Sequence, residues 1–231
     1  MSGLHELRAL LISGPCARNT AIEAFYRRLV GAGVRPLSVG GDHSITSSIL
    51  KAIGANEPVG MIHIDAHCDT AGPYEGTKFQ HGGPFRLAVL DGVLDPRRTI
   101  QIGIRGPAEY LWEFSYESGM TVVHAEEVSD ASLPRLIEKA REVVGDGPTY
   151  ISFDIDSVDP GFAPGTGTPE VGGLQPREVL QVLRGLDGLN IVGETSSRSH
   201  HSMIPPPTRH KLPRRCCTQS FALWSRAVNR T

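Results

Sequence analysis

The sequence contains no run of about 18 or more apolar residues, so nothing in it reads as a membrane-spanning helix. It contains no CxxC pair. Its four cysteines (Cys16, Cys68, Cys216 and Cys217) do not have the spacing of a disulfide framework, and they read as free thiols in a reducing compartment. Residues 4–12 include Glu6 and Arg8 and lack the cleavage pattern of a secretory signal. No internal repeat is visible. These absences lead to the expectation of a soluble, cytoplasmic protein. What is present is ordinary for a globular chain: 231 residues, 39% hydrophobic and 21% charged. At roughly 100–200 residues per domain, that length suits one large domain or two small ones. A core of this size needs no disulfide or metal staple.

The formal net charge is −2, but it is unevenly spread. Residues 194–231 hold seven of the 23 Lys/Arg and one of the 25 Asp/Glu, which leaves 16 basic and 24 acidic side chains in the first 193 residues. A basic tail can mark a nucleic-acid or membrane contact. Here it lacks the folded patch or stripe that such contacts use. Pro205-Pro206-Pro207 and Arg214-Arg215-Cys216-Cys217 fall in it without any period, as in an unfolded extension.

From about residue 21 to 192, short apolar runs alternate with helical patterns. Strands are expected over 35–39, 60–64, 99–104, 121–125, 149–154 and 190–192. They are continuous apolar runs bounded by turn residues, as in strands buried on both faces. Helices are expected over 21–30, 44–53, 84–90, 133–144 and 176–183. In the fourth of these, Leu133, Ile137 and Ala140 recur at helical spacing, and Ser132 or Asp130 is placed to cap it. The alternation implies an α/β fold with a mostly parallel central sheet and helices on both faces. Ligands of such sheets gather at the carboxyl ends of the strands.

Three segments put acidic or imidazole groups at those ends. The first is Gly40-Gly41-Asp42-His43-Ser44, whose glycines permit a sharp turn that presents His43. A histidine in such a loop is more often structural than a ligand. The second is Asp65-Ala66-His67-Cys68-Asp69, where period-2 alternation aims Asp65, His67 and Asp69 to one side. The bland reading is a solvated turn, but burying two carboxylates together without a cation is very unfavourable. The third is Asp154-Ile155-Asp156, followed by the loop Ser157-Val158-Asp159-Pro160 and the run Pro164-Gly165-Thr166-Gly167-Thr168-Pro169, shaped to line a pocket. Pooled, these give His43, Asp65, His67, Asp69, Asp154 and Asp156. Four carboxylates and two imidazoles suit Mn²⁺ better than a thiolate-rich zinc site, and Cys68 is too soft to join them. Six ligands are too many for one catalytic ion. Bridging carboxylates would hold two ions about 3.5–4 Å apart and lower the pKa of a bridging water enough to give hydroxide at neutral pH.

At these residues the sequence resembles the ureohydrolase family of arginase, agmatinase and the guanidino-acid hydrolases. The matching motifs are GGDHS at 40–44, DAHCD at 65–69 and SFDIDSVDPGFAPGTGTPEVGG at 152–173, within a resemblance that runs from about residue 21 to 193. The resemblance implies a three-layer arginase-like fold and two Mn²⁺ per subunit. It implies that His43, Asp65, Asp69 and Asp154 hold one ion and Asp65, His67, Asp154 and Asp156 the other, with Asp65 and Asp154 bridging. It implies a hydroxide between the metals that attacks the guanidinium carbon, giving urea and an amine, with His81 shuttling protons and Asp69 sharing the catalytic role. Residues 81–123 look closest to the agmatinase-like branch, so agmatine, hydrolysed to putrescine and urea in polyamine metabolism, is the expected substrate. Guanidinobutyrate and guanidinopropionate are the alternatives. Loop 71–80 is expected to meet the far end of the substrate, where Glu75 could hold an amine and Lys78 a carboxylate, although both read equally as solvated loop charges. The family's assembly into trimers or hexamers implies a homo-oligomer, with no nucleic-acid or membrane partner. A zinc deacetylase on the same kind of fold is a weaker reading, because the six-ligand pattern is complete.

The resemblance fails at both ends. Residues 1–20 do not match, which leads to the expectation of an incomplete start. After Gly193 the family continues Gly-Asp-Val-Val-Glu-Val, whereas this chain continues Glu194-Thr195-Ser196-Ser197-Arg198-Ser199. One base added after the Gly193 codon restores the family's continuation with allowed codons. The expectation is therefore a frameshift: a single arginase-like domain over 1–193 and an aberrant tail over 194–231. It places Arg198 where a glutamate should contact the guanidinium, and cuts the last strand short. It makes the chain poorly stable and weakly active or inactive, or else a non-catalytic relative that still folds.

Overall fold

The computed structural model describes residues 14–106, 109–129 and 132–197. Six strands, β1 (Leu37–Val39), β2 (Val59–Ile64), β3 (Leu94–Ile104), β4 (Thr121–His124), β5 (Thr149–Asp154) and β6 (Ile191–Ser197), form one sheet in the order β1-β6-β5-β2-β3-β4. Every neighbouring pair is parallel. Among the described residues six helices accompany them: α1 (Pro15–Gly31), α2 (Thr46–Ile53), α3 (Pro84–Leu90), α4 (Glu113–Ser118), α5 (Leu133–Val144) and α6 (Pro176–Gly185). The expected α/β architecture is present.

The two faces of the sheet follow from alternation. In β2, Ile62 and Ile64 face a core closed by Leu133, Leu136 and Ala140 of α5 and Val179, Val182 and Leu183 of α6. Met61 faces the other way, into a core with Ile49 and Leu50 of α2, Phe85 and Ala88 of α3 and Tyr150. All six residues of β2 are buried, as expected for a strand covered on both faces. Among the described residues, no helix is long and apolar enough to cross a membrane.

Several boundaries differ from the sequence expectation for definable reasons. The helix expected over 44–53 opens with a 3₁₀ turn (His43–Ile45), because the Asp42 carboxylate accepts the Ser44 N–H at 2.9 Å and pins the chain before α2. Strand β3 starts at Leu94 rather than 99; its first residues carry Pro96 through a register shift against β2, where the missing N–H breaks no ladder. Helix α4 was not expected, since six residues are too few to display a period, and Gly119 ends it at φ 91°. Ser132 stands at the cap of α5 without bonding into the helix. Its hydroxyl accepts the Ser129 N–H and donates to the Glu127 carbonyl. Asp130 lies outside the described residues.

Strand β6 also departs from expectation. It continues to Ser197, between β1 and β5, so Glu194–Ser197 belong to the sheet rather than to an unstructured tail. Backbone pairing is indifferent to side-chain identity, which explains how an unfamiliar sequence sustains the strand. Arg198, with the rest of 198–231, lies outside the described residues, as do Cys216 and Cys217. Cys16 is exposed and Cys68 buried, and both are free thiols.

Candidate metal centre

Strands β2 and β5 are neighbours with Ile64 and Phe153 in register, so Asp65 and Asp154 leave the sheet side by side at its carboxyl edge. His43 arrives from the β1–α2 turn. That turn needs the left-handed backbone of Gly40 (φ 98°) and Gly41 (φ 72°), and the Gly40 N–H is tied to the Ser196 carbonyl at 3.0 Å. Asp69 has φ 52°, a conformation aspartate tolerates better than most residues, and its carbonyl accepts the Phe85 N–H at the start of α3.

All six expected ligands converge. His43 Nδ1 lies 2.7 Å from Asp69 Oδ2, 3.4 Å from Asp65 Oδ2 and 3.8 Å from Asp154 Oδ2. His67 Nδ1 lies 3.5 Å from Asp65 Oδ1 and 3.4 Å from Asp156 Oδ2. The side chains therefore frame two adjoining nooks, and Asp65 turns one oxygen to each. In the second nook, donor atoms of Asp65, His67 and Asp156 all lie within 4.8 Å of one another; in the first, those of His43, His63 and Asp65 do. His43, Asp65 and Asp156 are buried.

Four carboxylates against two imidazoles leave this cluster short of positive charge, and the protonation equilibria register the shortage. Burial opposes charge on His43, but its hydrogen bonds to Asp65 and Asp69 outweigh that and raise its pKa well above the usual imidazole value. His67, also opposed by burial, is raised to about 11 by hydrogen bonds to Asp156 and Asp65. Burial and the Asp65 charge push the carboxyls of Asp154 and Asp156 up. Asp65 goes the other way. Burial would raise it, yet His63 beside it and hydrogen bonds from His43, His63 and His67 hold it well below the usual range. A pocket that draws protons onto its imidazoles and two of its carboxyls is one that divalent cations would satisfy, and its oxygen and nitrogen donors fit hard or borderline ions. Burial pushes the Cys68 thiol up to about 12.

The surroundings hold the ligands in place. Asp154 Oδ1 accepts the Asp156 N–H at 2.9 Å, and Asp154 Oδ2 accepts the Ser197 hydroxyl at 2.5 Å. Arg105 reaches the carbonyls of Asp156, Ser157 and Glu170 at 2.7–3.2 Å, fastening the loop after β5 to the end of β3. Asp159 accepts the N–H groups of Gly161, Gly172 and Gly173, which holds its carboxyl low and rounds off that loop. Thr168 donates to Asp156 Oδ2 at 3.1 Å.

His81 is not packed into the cluster. It is exposed on the turn leading to α3. That turn is tied to the chain beyond Asp69 by the Ala71 N–H on the Gly82 carbonyl (2.7 Å) and by the Gln80 amide on the Gly72 carbonyl (3.0 Å). Glu75 and Lys78 are both exposed, Glu75 at a left-handed turn position and the Lys78 ammonium over the Phe79 ring. The motif reading overlooked His63, Ser152 and Ser197, buried against the candidate ligands, and Gln101, buried behind His63. For His63, Gln101 and Ser152 the available signal was a polar residue within a largely apolar strand; Ser197, in a polar run, gave none.

Comparison with known proteins agrees with this arrangement. The family model described as Arginase family matches residues 8–194. A guanidinopropionase from Pseudomonas aeruginosa is 51% identical over 175 residues, covering 74% of this chain and 55% of that protein. A mitochondrial agmatinase from Gallus gallus is 50% identical over 179 residues, covering 74% of this chain and 52% of that protein. The chain thus spans about half the length of the curated relatives it matches. The solved structure of proclavaminate amidino hydrolase from Streptomyces clavuligerus superposes with a TM-score of 0.85 at 35% identity, covering 90% of this chain and 70% of the other. The fold, the converging histidine and aspartate side chains and these matches agree: the chain belongs to the arginase family.

Proposed function

We propose that the chain forms the metal-binding core of a guanidino hydrolase that releases urea and an amine from a small linear guanidino compound. The observation that carries this reading is Asp65, which offers Oδ2 to the His43 nook and Oδ1 to the His67 nook, as a carboxylate bridging two cations through both oxygens would. The oxygen-rich donor set favours Mn²⁺, two ions per chain. His43, Asp65, Asp69 and Asp154 would hold one; Asp65, His67, Asp154 and Asp156 would hold the other. Bound there, such a pair supplies Lewis acidity and a lowered pKa for water.

The chain's own groups do the rest. Asp69 Oδ2, 2.7 Å from His43 Nδ1, takes hydrogen bonds at the edge of the first nook, which gives it a role in orienting the reacting molecule as well as in ligation. His81, exposed on a turn fastened beyond Asp69, would deliver the proton that a departing amine requires, since an amine anion is a very poor leaving group. The substrate we favour is agmatine, converted to putrescine and urea, with Glu75 available to its distal amine. The guanidinopropionase match keeps guanidino acids as the alternative, with Lys78 available to their carboxylate.

The test is Mn²⁺ content by mass spectrometry and urea release from agmatine, 4-guanidinobutyrate, 3-guanidinopropionate and arginine. Two Mn²⁺ per chain, with urea released fastest from agmatine, supports the proposal. A folded chain that takes up no Mn²⁺ contradicts it.

A further inference from the structure

Beneath the ligand cluster, one rung of the sheet is polar from strand to strand. Gln101, His63, Ser152 and Thr195 are register partners across β3, β2, β5 and β6, and all four are fully buried. They lie on the side of the sheet shared with Met61 and Tyr150, which belong to the apolar core below them, while Asp65 and Asp154 stand above them. Fully buried polar groups at the centre of a parallel sheet are unfavourable unless they are bonded, so their bonds carry the information.

Two of these residues point at the ligands. Ser152 Oγ meets His43 Nε2 at 3.1 Å, the ring nitrogen opposite the one that faces the carboxylates. His63 Nε2 meets Asp65 Oδ2 at 2.8 Å. His63, His43 and Asp65 lie close enough for His63 to pass as a metal ligand in its own right. Gln101 decides against that. Its amide nitrogen donates to the Cys68 carbonyl at 2.7 Å and to His63 Nδ1 at 3.1 Å, while its own Oε1, though buried, has no hydrogen-bond partner. Turned the other way, the amide would set its oxygen 2.7 Å from the Cys68 carbonyl oxygen, two acceptors with no proton between them. The amide nitrogen therefore stays where it is, His63 Nδ1 accepts, and the ring proton sits on Nε2. A nitrogen that carries a proton has no lone pair for a metal. The Phe85 ring, 4.4 Å from His63 and 5.6 Å from His43, closes the space on that side.

We infer that His63 is a positioning residue for the shared carboxylate: Gln101 fixes its tautomer so that Nε2–H donates to Asp65 Oδ2 and holds that carboxylate between the two nooks. Metal-binding carboxylates held by such outer bonds lose affinity when the bond is removed. This inference rests on the two-cation reading proposed above, and the experiment separates the two.

The experiment uses the full chain labelled with ¹⁵N-histidine, and Mn²⁺ as the titrant. In the metal-free protein, the imidazole ¹⁵N spectrum of His63 should show the proton on Nε2, and Gln101→Met should release that preference. His63→Phe should weaken Mn²⁺ binding by roughly 10–100-fold. His63→Gln, which restores an N–H donor, should recover most of the loss, whereas a merely structural role would lower the melting temperature without this split in affinity. A proton on Nδ1 in the unmodified chain, or Mn²⁺ affinity unchanged in both His63→Phe and Gln101→Met, overturns the inference. Should His63→Phe fail to fold, Gln101→Met and the ¹⁵N spectrum decide. No Mn²⁺ uptake by the unmodified chain would instead overturn the proposed function, with the tautomer still readable.

Discussion

Loading the site with Mn²⁺ should expel protons, and their number can be worked out from the two imidazoles. His67 holds its proton up to a pKa of about 11, and His43 is raised well above its usual value. Both are therefore protonated in the metal-free chain near neutral pH. A ligating nitrogen must be unprotonated, so each ring sheds one proton when its ion binds. The sign follows: rising pH removes the competing protons and strengthens binding, with the gain from His67 ending near pH 11. Each released proton makes affinity rise about tenfold per pH unit, so two make the pair bind about 100-fold tighter at pH 8 than at pH 7. Isothermal titration in buffers of different ionisation enthalpy counts the protons directly, since the measured heat varies with the buffer in proportion to their number. The expected count is about two or more for a full load, any proton held by Asp154 or Asp156 adding to it. Heats independent of the buffer, or an affinity flat between pH 7 and 9, would refute the assignment of His43 and His67 as the ligands that exchange a proton for a cation.

Other outcomes follow from single contacts. Arg105→Lys keeps the charge but loses the planar fork that spans Asp156, Ser157 and Glu170; chemical denaturation should show a loss of about 1.5–3 kcal/mol, and proteolysis should nick the loop after β5 first. Gly54→Ala would place a Cβ 2.2 Å from the Val93 carbonyl oxygen, a backbone atom that cannot swing aside, and should destabilise the fold by about 1–3 kcal/mol or more in the same assay. Resequencing the gene across the Gly193 codon should reveal one missing base, and a frame-restored chain should then release urea faster than the present one; a verified intact frame would end that idea.

The six candidate ligands were legible because each closely follows an apolar run; the alternation expected over 65–69 does not hold, since β2 ends at Ile64 and Asp69 has φ 52°, and it is the turns after the strands that bring the side chains together. Asp65 and Asp154 come together because β2 and β5 are neighbours in register, a fact of topology that local pattern does not contain. His63 and Gln101 escaped notice for a related reason. Each occupies a strand interior that reads as core, and their meaning appears only when the rungs are aligned. Helix α4 has too few residues to show a period, and the early start of β3 hides behind Pro96. Strand β6 runs past the point where its side chains cease to match the family, because pairing with β1 and β5 uses only backbone groups. His81 was expected from resemblance rather than from pattern, and it lies on an exposed turn outside the cluster.

In the proposed metal centre one carboxylate, Asp65, is shared by two cations. Electron paramagnetic resonance of the chain loaded with two equivalents of Mn²⁺ tests this most directly. Ions about 3.5–4 Å apart across a shared carboxylate should give an exchange-coupled spectrum, and Asp65→Asn should abolish it. Two magnetically isolated Mn²⁺ signals in the unmodified chain, or a coupled spectrum that survives Asp65→Asn, would contradict the account.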